Sequence, residues 1–338
     1  MKKLFLILLG VICLCSCELQ QNIPKGKIYY VGVALDYQNT NVNSLYGTLN
    51  DGLELEKALA TNAFKVNRNF KSYPLYQQGF SHSKETIEKK SYPSVEHIFE
   101  AFDDISKQST DNDITIFYFS GHGAKDEGSI LCGTTNQISG RTLLDLNKID
   151  DNFLINPTEL KQKLDKIKGK KLIIIDACHS GFFRGNLSTA VDITKEDATL
   201  SQCYEKFFKT PMNVDESIFL LCATEYNNYS HEPSYMLYSH PHGYFSKALL
   251  EGLGWCYGEK GIVTHKSVPY LVDNHDVQGI LAEGNPPACG ISNHLSVDDL
   301  YYYIKTHQQI PLIKKGNDRS FQHPCVTGGR QNLILFDY

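Results

Sequence analysis

Several things are scarce or missing from this chain, and each narrows its function. It has no run of Lys and Arg: 33 basic residues stand against 38 acidic ones, for a formal net charge of -5. Without a basic stripe there is little to neutralise phosphates, which argues against nucleic acid as a partner. No CxxC pair and no Cys/His cluster marks a zinc site. No oxygen-rich loop has EF-hand spacing, so the sequence requires no cofactor and leaves calcium open. No Gly-x-Ser-x-Gly elbow follows a buried strand, which disfavours a serine hydrolase of the α/β type. Internal repeats and polar low-complexity tracts are lacking too, and beyond the first residues no segment is long and apolar enough to span a bilayer.

What is present is ordinary globular composition: 338 residues, 41% hydrophobic and 21% charged. That is enough apolar material for one large core or two modest ones. The N-terminus reads as an export signal, with Lys2 and Lys3 ahead of an apolar stretch from Leu4 to Leu14. It ends in Leu14-Cys15-Ser16-Cys17, which resembles the bacterial lipoprotein box, with Cys15 unusual in its second place. The resemblance implies a signal peptide over 1–16, cleavage before Cys17, a lipid on the Cys17 sulfur and a short tether over 17–27. The mature protein is then expected in the bacterial cell envelope, membrane-attached through that lipid. Taking Lys2 and Lys3 from the 33 basic side chains leaves 31 against 38 acidic, a charge of about -7.

Of ten cysteines, seven lie beyond Cys17: Cys132, Cys178, Cys203, Cys222, Cys256, Cys289 and Cys325. An odd count in an exported chain leaves a thiol over or an intermolecular bridge. Their spacing is no disulfide framework.

The pattern from residue 28 onward alternates strands and helices. Ile28 to Leu35 reads as a buried strand, followed by a helix near Thr48 to Ala60 with Leu49, Leu53 and Ala60 on one face and Leu55 and Leu59 beside it. Residues 63–92 are polar and Tyr-rich and resist assignment. Ser94 is expected to cap a helix carrying Val95, Ile98, Phe99, Phe102 and Ile105. Ile114 to Phe119, Leu172 to Ile175 and Ser217 to Cys222 are continuous apolar runs that suit strands covered on both faces. Thr158 is expected to cap a helix with Leu160, Leu164 and Ile167 on its apolar stripe. Further helices are expected at Phe245 to Leu253 and Val297 to His307, the latter opened by a Ser296/Asp299 capping box. A last strand is expected over Asn332 to Phe336. Such alternation predicts a doubly wound α/β sheet, whose ligands sit beyond the carboxyl ends of the strands.

Two segments fall at such ends. Tyr118-Phe119-Ser120-Gly121-His122-Gly123 follows one buried run, and Asp176-Ala177-Cys178-His179-Ser180-Gly181 follows another. A lone Cys after a strand is usually a small buried hydrophobe. A thiol and an imidazole 56 residues apart, each ending an apolar strand and each beside glycines, form a more specific pattern. Acyl transfer needs a thiolate nucleophile, a group that moves protons, and amide donors for the developing oxyanion.

The two segments resemble those of the caspase-like cysteine peptidases, the metacaspase and paracaspase branch in particular. The likeness extends to Ile28–Leu35 with Asn50-Asp51, to Ala223-Thr224-Glu225 through Glu232, to His242-Gly243-Tyr244-Phe245-Ser246 with Ala248-Leu249-Leu250, and to Gln322-His323-Pro324 with Leu333–Phe336. It is patchy over 63–92 and 254–320. The resemblance implies a mostly parallel six-stranded sheet with helices on both faces, built from residues 28–338, with loop insertions near 124–157 and 183–216. It implies Cys178 as nucleophile, His122 as acid and base, and the amides of Gly123 and Cys178 as oxyanion donors. Asp176, two residues before the nucleophile, is implied as a pocket acid selecting Arg or Lys at P1, with Glu225 as a second one. His179, beside the nucleophile, reads as structural. Peptides or proteins are the implied substrates. The alternative is a catalytically idle domain of the same kind that binds partners at the envelope. The insertion near 183–216 carries basic residues that self-processing could use.

Overall fold

The computed structural model describes residues 25–38, 42–77, 90–124, 129–133, 151–178, 217–224, 229–232, 241–256, 280–281, 284–307, 324–327 and 333–338. Cys17 with the signal segment, His179, the insertion near 183–216 and Glu225 lie outside these residues.

The frame is one six-stranded sheet. Its strands in chain order are β1 (Ile28–Ala34), β2 (Phe70–Tyr76), β3 (Ile114–Ser120), β4 (Lys170–Asp176), β5 (Ile218–Cys222) and β6 (Cys325–Thr327), and their spatial order is β2-β1-β3-β4-β5-β6. The first five are parallel, and β6 alone runs antiparallel, Cys325 partnering Cys222. The expected last strand forms at Ile334–Asp337, but it pairs with His294–Ser296 in a separate antiparallel ribbon, so the sheet's sixth strand is β6.

Both faces of the sheet are covered, which explains the unbroken apolar runs: with no solvated face, alternation carries no benefit. One face, bearing Tyr30, Ile116, Tyr118, Leu172, Ile174 and Leu221, packs under α1 (Thr48–Lys65), α4 (Tyr244–Gly252) and α5 (Val297–His307). The other, bearing Val31, Phe117, Phe119, Ile173, Ile175 and Leu220, packs under α2 (Val95–Gln108) and α3 (Pro157–Leu164). Phe102 of α2 meets Phe117 of β3 edge-on at 5.4 Å between centroids, a favoured aromatic geometry.

The helix starts follow local chemistry. Ser94 caps α2, its side chain accepting from the His97 amide at 3.2 Å. Ser296 and Asp299 form the expected reciprocal pair at the start of α5. The start of α3 differs from expectation. Asn156, not Thr158, is its cap, with Glu159 closing a capping box and Pro157 in the first turn, where a missing N–H costs nothing.

Helix α1 is also rotated from the face expected for it. Its buried residues include Asp51, Leu55, Ala58, Leu59, Asn62 and Ala63, while Leu53 is 39% exposed. The stripe through Leu49 and Leu53 loses because Asp51, Glu54 and Asn62 have polar partners inside, and partnered polar groups can be buried. Strand β2, unassigned from sequence, is an edge strand, and there Pro74 is tolerated because its lost donor is one that a neighbour would not have used.

Within the insertion near 124–157, the described residues include a two-stranded ribbon, Ile130–Leu131 with Leu154–Ile155. It continues directly from the turn after β3, since Gly123 bridges to Ile130.

Candidate functional site

The site is built by register. In the β3–β4 ladder Ser120 is the partner of Asp176, so the two strands end level. His122 and Cys178 each stand two residues beyond that matched pair. Adjacent strands are about 4.8 Å apart, so the two turns leave the sheet side by side. They touch: the Gly121 amide donates to the Asp176 carbonyl at 3.2 Å. A Cβ added at Gly123 would overlap the carbonyl oxygen of Cys178, so no larger residue fits there without a shift. Four of the residues singled out from sequence, His122, Gly123, Asp176 and Cys178, are thereby brought to one place.

The sheet's order reverses between β1 and β3, and the loop after β1 reaches the same place from the other side. His122 is half-buried, and its Nε2 lies 2.7 Å from the carbonyl oxygen of Asn43. A carbonyl only accepts, so Nε2 carries a proton and, in the neutral ring, Nδ1 holds the lone pair. Burial lowers the His122 pKa, and the bond to Asn43 partly offsets that. The Cys178 thiol lies 3.7 Å from the carbonyl oxygen of Ser230, to which it donates. Burial, with a smaller contribution from the charge of Asp176, pushes the thiol up to about 11 despite that bond. In this arrangement both groups are neutral near pH 7.

Behind Cys178 lies a buried polar cluster. Asp176 accepts from Ser230 Oγ at 2.6 Å through one oxygen, and from Ser246 Oγ at 2.6 Å and the Ser246 amide at 3.3 Å through the other. It thus supplies to the first turn of α4 the acceptor that its own cap, Gly243, lacks. Asp51 projects from α1 to the other side, accepting from the Gly243 amide at 3.2 Å and from Ser120 Oγ at 3.2 Å, with His242 Nδ1 at 2.7 Å. Burial raises both carboxyls, Asp51 well above its usual range, with Asp176 adding repulsion. His242 Nε2 lies 3.5 Å from Glu54, whose same oxygen accepts from Trp255. Glu232 accepts from the Tyr46 and Gly47 amides at 3.0 and 2.8 Å, closing the start of α1.

Sequence reasoning alone missed Asn43, Ser230 and the direct part of Asp51. For Asp51 the sign was the family likeness of Asn50-Asp51, not the periodicity of the helix. For Asn43 there was none, because its carbonyl, not its side chain, makes the contact. Among the described residues, no group of three or more His, Cys, Asp or Glu side chains is arranged to hold a metal ion, and no helix is long and apolar enough to cross a membrane.

Fold and site together define the class: a parallel α/β domain presenting a thiol and an imidazole from the ends of neighbouring strands. The sequence profile of the caspase domain matches residues 32–281, and the chain belongs to that family of cysteine peptidases. The structure is similar to the crystal structure of caspase-1 from Spodoptera frugiperda, with a TM-score of 0.49, 14% identity, and coverage of 94% of this chain and 96% of that one. No curated protein matches the sequence significantly.

Proposed function

We propose that this chain is a cysteine endopeptidase that hydrolyses peptide bonds after Arg or Lys through a Cys178–His122 dyad. The observation that carries the reading is the level ending of β3 and β4, with His122 and Cys178 two residues past the Ser120–Asp176 pair. Cys178 Sγ attacks the scissile carbonyl carbon and its proton passes to His122 Nδ1. The oxyanion is met by the amides of Gly123 and Cys178, and the C–N bond breaks as His122 protonates the leaving amine. Water, deprotonated by the same imidazole, then attacks the thioester and releases the acid and the thiol. Substrate binding lifts the Cys178 thiol off the Ser230 carbonyl and pairs it with the imidazole, which lowers the cost of forming thiolate.

The basic P1 preference is supported by the two carboxyls behind the nucleophile, Asp176 and Asp51. A guanidinium entering beside them would relieve their mutual repulsion and make charge-assisted hydrogen bonds in a partly dry site. Glu225 is a further candidate acid by resemblance only. Lipidation at Cys17 would hold the domain at the envelope, facing peptide or protein substrates there.

The deciding experiment compares peptides that differ only at P1, as Arg, Lys or Asp, with wild type and Cys178→Ala. Cleavage after Arg or Lys that Cys178→Ala abolishes while remaining folded is the expected result. Cleavage after Asp alone overturns the P1 assignment, and hydrolysis that survives Cys178→Ala overturns the mechanism.

A further inference from the structure

The loop after β1 also holds a side chain against the imidazole. Tyr37 sits at φ +54°, a left-handed conformation that bulky residues rarely adopt. The conformation is pinned, because its amide donates to Gln77 Oε1 at 3.1 Å. The phenol is buried and bonded on two sides: Oη accepts from the His122 amide at 3.0 Å and donates to the Leu131 carbonyl at 2.5 Å. The Leu131 amide in turn donates to the His122 carbonyl at 3.0 Å, closing a ring of bonds around the turn. The Tyr37 ring lies 4.7 Å from the imidazole, tilted by 42°. Gly121 makes this possible, since a Cβ there would stand 2.6 Å from the phenol oxygen.

We propose that Tyr37 is a positioning residue for the acid–base group, its hydroxyl fixing the main chain of His122 and its ring backing one face of the imidazole, so that Nδ1 stays presented to Cys178. The inference rests on the peptidase reading above. Among the described residues, Asn43 holds the imidazole at one nitrogen, about which the ring could still swing; a flat surface against the ring removes that freedom. Burial holds the phenol neutral at all working pH, so it remains both donor and acceptor. A backbone conformation of this sort is costly and persists where the surroundings over-determine it, commonly at functional sites.

Two variants separate the hydroxyl from the ring. Tyr37→Phe keeps the ring and deletes both bonds, and Tyr37→Leu deletes both features. Per Cys178 thiol titrated with iodoacetamide, kcat on a P1 Arg peptide is expected to fall about tenfold in Tyr37→Phe and about hundredfold in Tyr37→Leu. KM should move by less than about twofold, because the phenol is buried. An independent readout is the carbon–proton NMR signal of the His122 imidazole, assigned by its loss in His122→Gln. The ring current of Tyr37 displaces that signal, so Tyr37→Leu should move it strongly and Tyr37→Phe only slightly. A kcat within about twofold of wild type in both variants, or an imidazole signal unmoved by Tyr37→Leu, overturns the proposal. Should wild type show no Cys178-dependent hydrolysis, the peptidase reading itself fails. The imidazole signal then decides the placement of Tyr37 alone: movement in Tyr37→Leu supports it, and none refutes it.

Discussion

Gly123 lies so close to Cys178 that the Cys178 carbonyl oxygen occupies the space a side chain at 123 would need. Backbone meets backbone there, and neither partner can give way as a flexible side chain could. Gly123→Ala is therefore expected to push the two turns apart and misplace a proposed oxyanion amide. The loss of one such donor is worth about hundredfold in kcat. Steady-state kinetics beside circular dichroism of the folded variant would test this, and an Ala variant of undiminished kcat would refute the close packing.

The resting thiol gives a pH signature. Burial holds Cys178 up to about 11 and lowers His122, so neither carries charge near neutrality. A thiol reacts as thiolate, and its thiolate fraction grows with pH until the pKa is passed. Alkylation by iodoacetamide in the absence of substrate should climb about tenfold per unit from about pH 7 to about pH 10. A plateau already reached at neutral pH would mean a preformed thiolate–imidazolium pair.

Asp176 and Asp51 separate specificity from stability. Burial raises both pKa values in the folded state. An acid raised on folding stabilises below its unfolded pKa, and that contribution is lost as pH rises through the folded value. Each carboxyl is thus costlier to ionise in the fold than in the unfolded chain. Asp176→Asn and Asp51→Asn should each lower kcat/KM for a P1 Arg peptide by about tenfold or more through the lost charge-assisted bond. The thermal midpoint at pH 7 should hold or rise. Unchanged Arg preference in both variants would remove these acids from the pocket.

Envelope attachment can be tested apart from catalysis. Incorporation of a labelled fatty acid should follow Cys17 and vanish in Cys17→Ser, with the protein moving from the membrane fraction to the soluble one. Labelling that persists in Cys17→Ser would place the lipid elsewhere or dismiss the anchor.

The parts of this molecule that were legible from sequence share a physical cause. β3 and β4 are buried on both faces, so Ile114–Phe119 and Leu172–Ile175 are unbroken apolar runs, and the polar residues that end them mark the site. β2 was illegible because an edge strand can carry Pro74 and exposed polar residues without penalty. The face of α1 was misjudged because Asp51 and Asn62 are inside, satisfied by groups nearly two hundred positions away, among them the Leu253 carbonyl. No local pattern encodes such partners. At α3 both Asn156 and Thr158 are capping types, and Pro157 between them was the deciding sign. Asn43 and Tyr37 act through a carbonyl and an unusual φ, neither of which residue type reports.

The imidazole and the thiol are both counted from the same rung of one ladder, so the sheet's register sets how far apart their turns begin. Loops that touch neither Leu131 nor Ser230 could lengthen, shrink or be exchanged without recalibrating the proposed pair. A single-residue deletion inside β4 would do the reverse, leaving every surface loop intact while silencing the chemistry.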